Sequence, residues 1–382
     1  MFSQLGDWAG RLALSVIVAE RTDSIPLTAL VTTLSVLPYI GIGQLLATFA
    51  NRFPRVYTVV VADLGRAILF AVVAWHPSVP LILVFAFLAG CLTVPFEAAR
   101  NSVTPFTVPR EHFGDATAVA SITFDMSVLF GYAAGGLLIA LVGARTAVLI
   151  NSLSFIVSLL LLVRIPAMRR TPVEGNPIGL RDAWRALLDD PFVRRLFVGY
   201  TFVGACAVVG ESLVAIYGLR ELSSEAGTTG LLAAAIPAGA IIATIASRGH
   251  GTDTVRLQAA SIVALAGSMI GLIVFVAAPG VPAILIGFAA IGALNASRVP
   301  GNEVAALRLD DSVRVPAFAI INGFLLGSQA LAAAAGGVIA RGVGVRGTII
   351  LSLLVAAVVG AWGTIRPPRE FGHAVRRSAS PP

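Results

Sequence analysis

Three carboxylates, Asp7, Asp125 and Glu211, stand inside long apolar runs. A charge at membrane depth costs roughly 2.5–3.5 kcal/mol on insertion scales, so such residues are functional candidates by default. The chemistry open to them is reversible protonation. Apolar surroundings disfavour the charged carboxylate, and an acid that gains a proton on one side of a membrane and loses it on the other can couple proton flow to other work. Asp125 has no basic residue within four positions on its own helix. The alternative is a carboxyl that hydrogen-bonds a neighbouring helix. Glu211, flanked by Gly210 and Ser212, faces the same choice, or belongs to an outer gate. Asp7 and Arg11 are four residues apart, on one helix face and within pairing reach. They form either a proton or substrate pair in a cavity, or an ion pair that only neutralises itself.

A second set of residues clusters toward one side. Asn51, Arg52, Arg55, Asp63, Arg66, Glu97 and Arg100 could form charge pairs that close a cytoplasmic gate, or could be ordinary basic decoration of that side. Phe124, Tyr132, Asn322 and Gln329 are substrate-cavity candidates together with Arg11. Gly131, Gly135, Gly136 and Gly336 read as helix-packing positions, because small-xxx-small spacing lets helices approach closely. Packing between halves of the molecule is the expectation for them.

These residues need elements to hold them. Of 382 residues, 57% are hydrophobic and 12% charged, against about 25% charged in soluble domains. Stretches of the roughly 20 apolar residues that a bilayer-spanning helix needs recur along the chain. In lipid the backbone must satisfy itself, so they are helices. Spans are expected near 1–19, 27–49, 57–75, 78–96, 116–142 and 146–163, then 196–219, 226–246, 257–277, 280–297, 315–340 and 347–365. The predicted units are an N-terminal six-helix bundle (1–163), a cytoplasmic linker (164–195), a C-terminal six-helix bundle (196–366) and a cytoplasmic tail (367–382). In the linker, Leu180, Trp184, Leu187 and Leu188 share a helical face, suited either to the membrane surface or to packing on the bundle. Asp7 and Arg11 interrupt the first apolar run, so a cleavable signal peptide is not expected.

All 27 basic residues are Arg, a bias expected of a GC-rich genome. Twenty lie in one set of alternate loops and the C-terminal tail, five in the opposite loops, and Arg11 and Arg66 within helices. The positive-inside rule puts the rich set, and both termini, in the cytoplasm. The placement expected is multi-pass in the bacterial inner (plasma) membrane. The Arg residues form no patch on a soluble domain, so nucleic acid is not an expected partner. The lipid bilayer, a small-molecule substrate and a monomeric state are.

The chain also repeats itself. GQLLATFANR (43–52) matches GAIIATIASR (239–248) at an offset of 196, and GGLLIALVGAR (135–145) matches GGVIARGVGVR (336–346) at 201. Two matches in the same order argue for two six-helix halves in parallel repeat, with a site at the midplane between them.

Several strings carry a family resemblance: LGDW (5–8), ANRFPR (50–55), VADLGRA (61–67), PFEAARNSV (95–103), VPREHFGDATAVAS (108–121), GYAAGG (131–136) and NSLSF (151–155). With these the chain resembles the drug-exporter branch of the major facilitator superfamily, the macrolide-efflux and enterobactin-exporter relatives. The resemblance implies an all-α membrane protein of the major facilitator fold, with 12 transmembrane helices in two six-helix bundles and both termini cytoplasmic. It implies secondary active transport by proton-coupled export of hydrophobic or amphipathic small molecules, with the proton gradient as energy source and no cofactor. Three departures stand out. Asn51 occupies a position that usually carries Asp, with Ser247 as its repeat mate. Tyr132 replaces the Pro of a fifth-helix exporter motif. The fourth helix lacks an internal Arg, Arg100 lying at its end.

Other classes fit poorly. His76, His112, His250 and His373 are scattered, and Cys91 and Cys206 lie alone in apolar helices. A metal centre needs clustered ligands and a thiol nucleophile needs a neighbouring base, so an enzyme is not expected. No nucleotide-binding loop appears. An importer or uncoupled facilitator on the same fold remains an alternative, as does a non-transporting membrane sensor.

Overall fold

The computed structural model describes residues 2–40, 42, 45–46, 53–101, 113–164, 180–247, 253–277, 280–309 and 311–364. Among them the fold is helical throughout. Its first half contains α1 (Phe2–Thr22), α2 (Ile25–Val36), α3 (Arg55–Trp75), α4 (Val79–Asn101), α5 (Phe113–Val142) and α6 (Ala144–Leu162). A short amphipathic helix, α7 (Leu180–Asp189), precedes the second half. That half holds α8 (Pro191–Ile216), α9 (Ala226–Ala246), α10 (Asp253–Ala277), α11 (Val281–Ala293), α12 (Arg298–Arg308) and α13 (Asp311–Thr364). The end at which α1 begins is called the near end below, and the opposite one the far end.

Nine helical segments among the described residues are long and apolar enough to cross a membrane, by length and composition. Twelve are expected from the sequence, and three local features separate the two counts. α1 carries Ser3, Gln4, Asp7 and Arg11 in its first half, and these lower its mean hydropathy. The described part of α2 has only 12 residues, before a 3-10 turn over Leu37–Tyr39. The apolar stretch Ile320–Ala361 counts once, yet its 42 residues would extend about 63 Å, twice a bilayer core. The chain breaks there at Gly344, whose φ of 78° lies in the left-handed region. Gly143, between α5 and α6, has φ 82°. Only glycine takes this conformation at no steric cost.

The repeat is visible in these corners. Gly143 and Gly344 are 201 residues apart, and so are the arginines that follow them. Arg145 donates from its guanidinium to the Ala74 and Trp75 carbonyls at the end of α3, the latter at 3.0 Å. Arg346 donates to the Phe275 and Val276 carbonyls at the end of α10, the latter at 2.6 Å. Both side chains satisfy carbonyls that a helix end leaves without partners. The paired string at 43–52 lies mostly outside the described residues.

Inside the first half, α1 packs on α5 and α6, and α3 on α4 and α6. Inside the second, α8 packs on α13, α9 on α11, and α10 on both α11 and α13. The halves meet chiefly through α2 with α13 and α5 with α9. The glycine pairs divide these tasks. A Cβ at Gly131 or Gly135 would strike Trp8 and Leu5, or Ala9, all on α1. Gly336 faces Val209 on α8. These three therefore pack within their own halves, not between them. Their neighbours cross over: Gly136 meets Gly230 of α9, where a Cβ would lie 2.3 Å from the Gly136 Cα, and Gly337 meets Pro26 and Ala29 of α2.

The linker helix lies against the second half. Trp184 makes edge contacts with Phe324 (ring centroids 5.1 Å apart) and Phe197 (6.3 Å), and Leu187 is buried while Leu188 is exposed. Trp184 and Leu187 of its apolar face thus pack on the bundle, while Leu188 does not.

Candidate functional site

The buried charges of the first half converge on Arg66, which is fully buried. It donates to Asp7 Oδ2 at 3.1 Å and is ion-paired with Asp63. Its guanidinium lies 4.3 Å from the Phe96 ring centroid and 4.6 Å from that of Phe155. A desolvated cation between two aromatic faces gains from their quadrupoles, and two carboxylates offset its charge. Helices α1, α3, α4 and α6 all contribute, and all belong to one half.

The partners differ from those that spacing suggests. Asp7 pairs with Arg66 on α3, not with Arg11. Arg11 instead lies over the Trp8 ring, 4.7 Å from its centroid, and has no ion pair among the described residues. Asp63 and Arg66 pair with each other and with Asp7 inside the first half, where α3 packs on α4 and α6. Asn51 and Arg52 lie outside the described residues. Arg55 is buried at the start of α3. Glu97 accepts a hydrogen bond from the Tyr39 hydroxyl at 3.1 Å, joining α4 to the end of α2.

A second group sits at the seam. Tyr132 of α5 donates its hydroxyl to Glu211 Oε1 of α8 at 2.6 Å, so a residue that stands where a Pro was expected ties one half to the other. Trp8 packs edge-on against Tyr132 (5.3 Å) and Phe124 (6.3 Å). One seam cluster thus holds Trp8, Arg11, Phe124, Tyr132 and Glu211: a carboxylate, a cation and three aromatic rings. Asp125 is half-buried beside Phe124 on α5. Gln329 lies against Gly204 of α8, and Asn322 is exposed; neither enters the cluster.

Two ion pairs were not legible as such. Arg220 pairs with both the carboxylate and the carbonyl of Asp23. The pair spans the halves at the far end, where a π-helical turn, Tyr217–Glu221, presents the arginine. At the near end Arg308 of α12 holds Asp190, with contacts of 2.8 and 3.2 Å. Asp190 also caps α8, accepting from the Phe192 and Val193 amides. Burial alone would raise its carboxyl; the Arg308 and amide hydrogen bonds outweigh that and hold it below the ordinary carboxylate value. The clue was the Asp-Pro pair that opens α8, a helix-start signal.

Comparison with known proteins agrees with this architecture. A family model described as "Major Facilitator Superfamily" matches residues 1–255. An uncharacterized MFS-type transporter of Bacillus subtilis, YkuC, is 26% identical over 268 residues, covering 64% of this chain and 62% of that one. The enterobactin exporter EntS of Salmonella choleraesuis is 28% identical over 228 residues, covering 58% and 53%. The chain thus spans between half and two thirds of the length of these relatives. Among solved structures, a bacterial homolog of the human lysosomal transporter Spinster, inward-facing and unoccupied, superposes with a TM-score of 0.73 at 15% identity, over 95% of this chain and 94% of that one. By the family match over two thirds of its length, this chain belongs to the Major Facilitator Superfamily of membrane transporters.

Proposed function

We propose that the chain is a secondary active transporter that exports hydrophobic or amphipathic small molecules in exchange for protons, by alternating access across the bacterial inner membrane. In this reading twelve helices cross the bilayer as two six-helix bundles, 1–163 and 196–366, with the linker, the tail and the near end in the cytoplasm. The distribution of Arg supports that orientation. The similarity to an exporter supports the direction. The Trp8, Phe124 and Arg11 side chains offer an amphipathic lining, two aromatic rings beside a cation that lacks an ion pair among the described residues. The proton gradient supplies the energy, and no cofactor is needed.

The observation that carries the reading is the hydrogen bond from Tyr132 to Glu211. It joins the halves through the one carboxylate of the seam cluster. An ionised carboxylate accepts such a bond roughly twice as strongly as a neutral acid does. Proton occupancy of Glu211 therefore weakens a tie across the seam. The cross-half contacts at Asp23–Arg220 and Gly136–Gly230 sit toward the far end, in keeping with a structure closed outside and accessible from the cytoplasm.

The test is substrate-induced proton flux in proteoliposomes. Glu211→Gln is expected to abolish the flux while substrate binding survives, and Tyr132→Phe to reduce it. Coupled transport that is unchanged in an Asp7→Asn, Asp125→Asn, Glu211→Gln triple variant would sink the proton-site assignment. Transport that persists after collapse of the proton gradient would point to a facilitator.

A further inference from the structure

The Arg66 cluster has a neighbour that plays no part in the exchange reading. A small, partly open cavity of about 90 Å³ is lined by Ser3 and Gln4 of α1, Phe96 and Arg100 of α4, and Ser158, Leu161 and Leu162 of α6. It lies wholly within the first half, at the near end, away from the seam. Two of its walls reach the cluster. Phe96 stacks on Arg66, and Ser158 lies beside the Asp63 carboxylate. Ser3 Oγ, in the wall, and Asp63 Oδ2, behind it, are both buried with no hydrogen-bond partner among the described residues.

Magnitudes decide what fills such a space. A buried polar atom left unpaired costs about 1–3 kcal/mol. A water molecule needs roughly 10–15 Å³ of this kind of volume and two to four polar partners. The cavity has room for several, and its walls supply Ser3, Gln4, Ser158 and Arg100 as partners. Phe96, Leu161 and Leu162 make the rest of the wall apolar, but a fatty occupant would leave the buried polar groups unmet.

We propose that this cavity is a water-filled pocket that opens to the near-end solution and hydrates the Asp7–Arg66–Asp63 cluster from inside the first half, by a route separate from the seam. Its ligand is water and the proton that water delivers. The charged groups facing Asp63 are Arg66 on its own helix and Asp7 on α1; α4 places Arg100 in the cavity wall, and α6 contributes Ser158 and no charge. Proton exchange at the cluster then does not require the halves to part.

X-ray radiolytic labelling of the unmodified protein in lipid nanodiscs tests this directly, because hydroxyl radicals form from water beside the ring they oxidise. Phe96 and Phe155 flank the same guanidinium and are almost equally buried, 3% and 0% exposed. Burial alone gives both rings the same slow rate. A hydrated pocket makes Phe96 at least fivefold faster than Phe155, and filling it with Ser158→Leu returns Phe96 to the rate of Phe155. Equal rates at the two rings in the unmodified protein overturn the proposal, as does a fast Phe96 that Ser158→Leu, once shown to be folded, leaves unchanged. Should Ser158→Leu not fold, Ser158→Cys in a Cys91→Ala, Cys206→Ala background takes its place. Its thiol is expected to react with a small hydrophilic methanethiosulfonate, and an inert thiol counts against the pocket.

Discussion

The two halves share a plan and differ in what they bury. In the first, α3 carries Asp63 and Arg66 inward, and α6 sets Phe155 against the guanidinium. At the offset of 201 that relates the glycine corners, the second half has Ala264, Gly267 and Ala356 in their places. There α10 closes on α11 directly: a Cβ at Gly267 would lie 2.8 Å from that of Ala293. The interior is instead an aromatic trio, Tyr217, Phe275 and Phe288, with ring centroids 5.4–5.6 Å apart. One half is organised around a charge that needs two counter-ions, the other around apolar shape. The two halves thus share a frame, while the ionic interior of the first is expensive unless fully paired.

The comparison breaks most readily at Arg66. Arg66→Leu leaves Asp7 and Asp63 buried without their cation and is expected to lower stability by about 3–5 kcal/mol. Adding Asp7→Asn and Asp63→Asn should recover much of that loss. Thermal unfolding in detergent reads both, and a loss that the added changes do not relieve would mean Arg66 acts by volume, not charge. Phe288→Ala makes the matching test in the second half. A cost of about 3–5 kcal/mol is expected there, with no rescue by any change of charge. Gly230→Ala forces a methyl against Gly136 and is expected to cost about 1–3 kcal/mol and to slow transport by wedging the seam; equal turnover would remove that seam from the moving parts. Asp190→Asn gives a smaller effect, about 1 kcal/mol as for other helix caps. Because Asp190 is held below its ordinary value, its contribution is complete above about pH 4 and fades as pH falls through the lowered folded-state value. The Tm gap between wild type and variant should therefore be flat at neutral pH and narrow on acidification. Smallest in stability is Arg220→Gln, since exposed ion pairs are worth about 0–1 kcal/mol. Its readout is a shift toward far-end opening, seen as a longer spin-label distance between the halves.

Periodicity and repetition made the helices and their repeated GG…R corners legible, because lipid burial and glycine corners act through local sequence. Side-chain partners were not legible to the same degree. The four-residue spacing of Asp7 and Arg11 promised a pair, but a guanidinium from α3 already flanked by two rings offers Asp7 a drier partner, and Arg11 turns to Trp8. Glycine spacing announced close approach without saying to which helix: Gly135 and Gly136 are adjacent yet face opposite halves. The linker helix was readable as amphipathic, while its choice of the bundle over the bilayer surface depended on Phe197 and Phe324, far along the chain. The Asp23–Arg220 pair joins residues 197 positions apart, beyond any local pattern.

The glycine corners have a mechanical consequence. One residue separates α5 from α6, and one residue divides α13. In each case the arginine just beyond grips the end of a third helix. There is no slack at these points, so each trio of helix ends must tilt as one stiff plate. Any hinge that lets the far end open has to lie elsewhere, and peptide tags or chain cuts meant to spare activity should avoid Gly143 and Gly344.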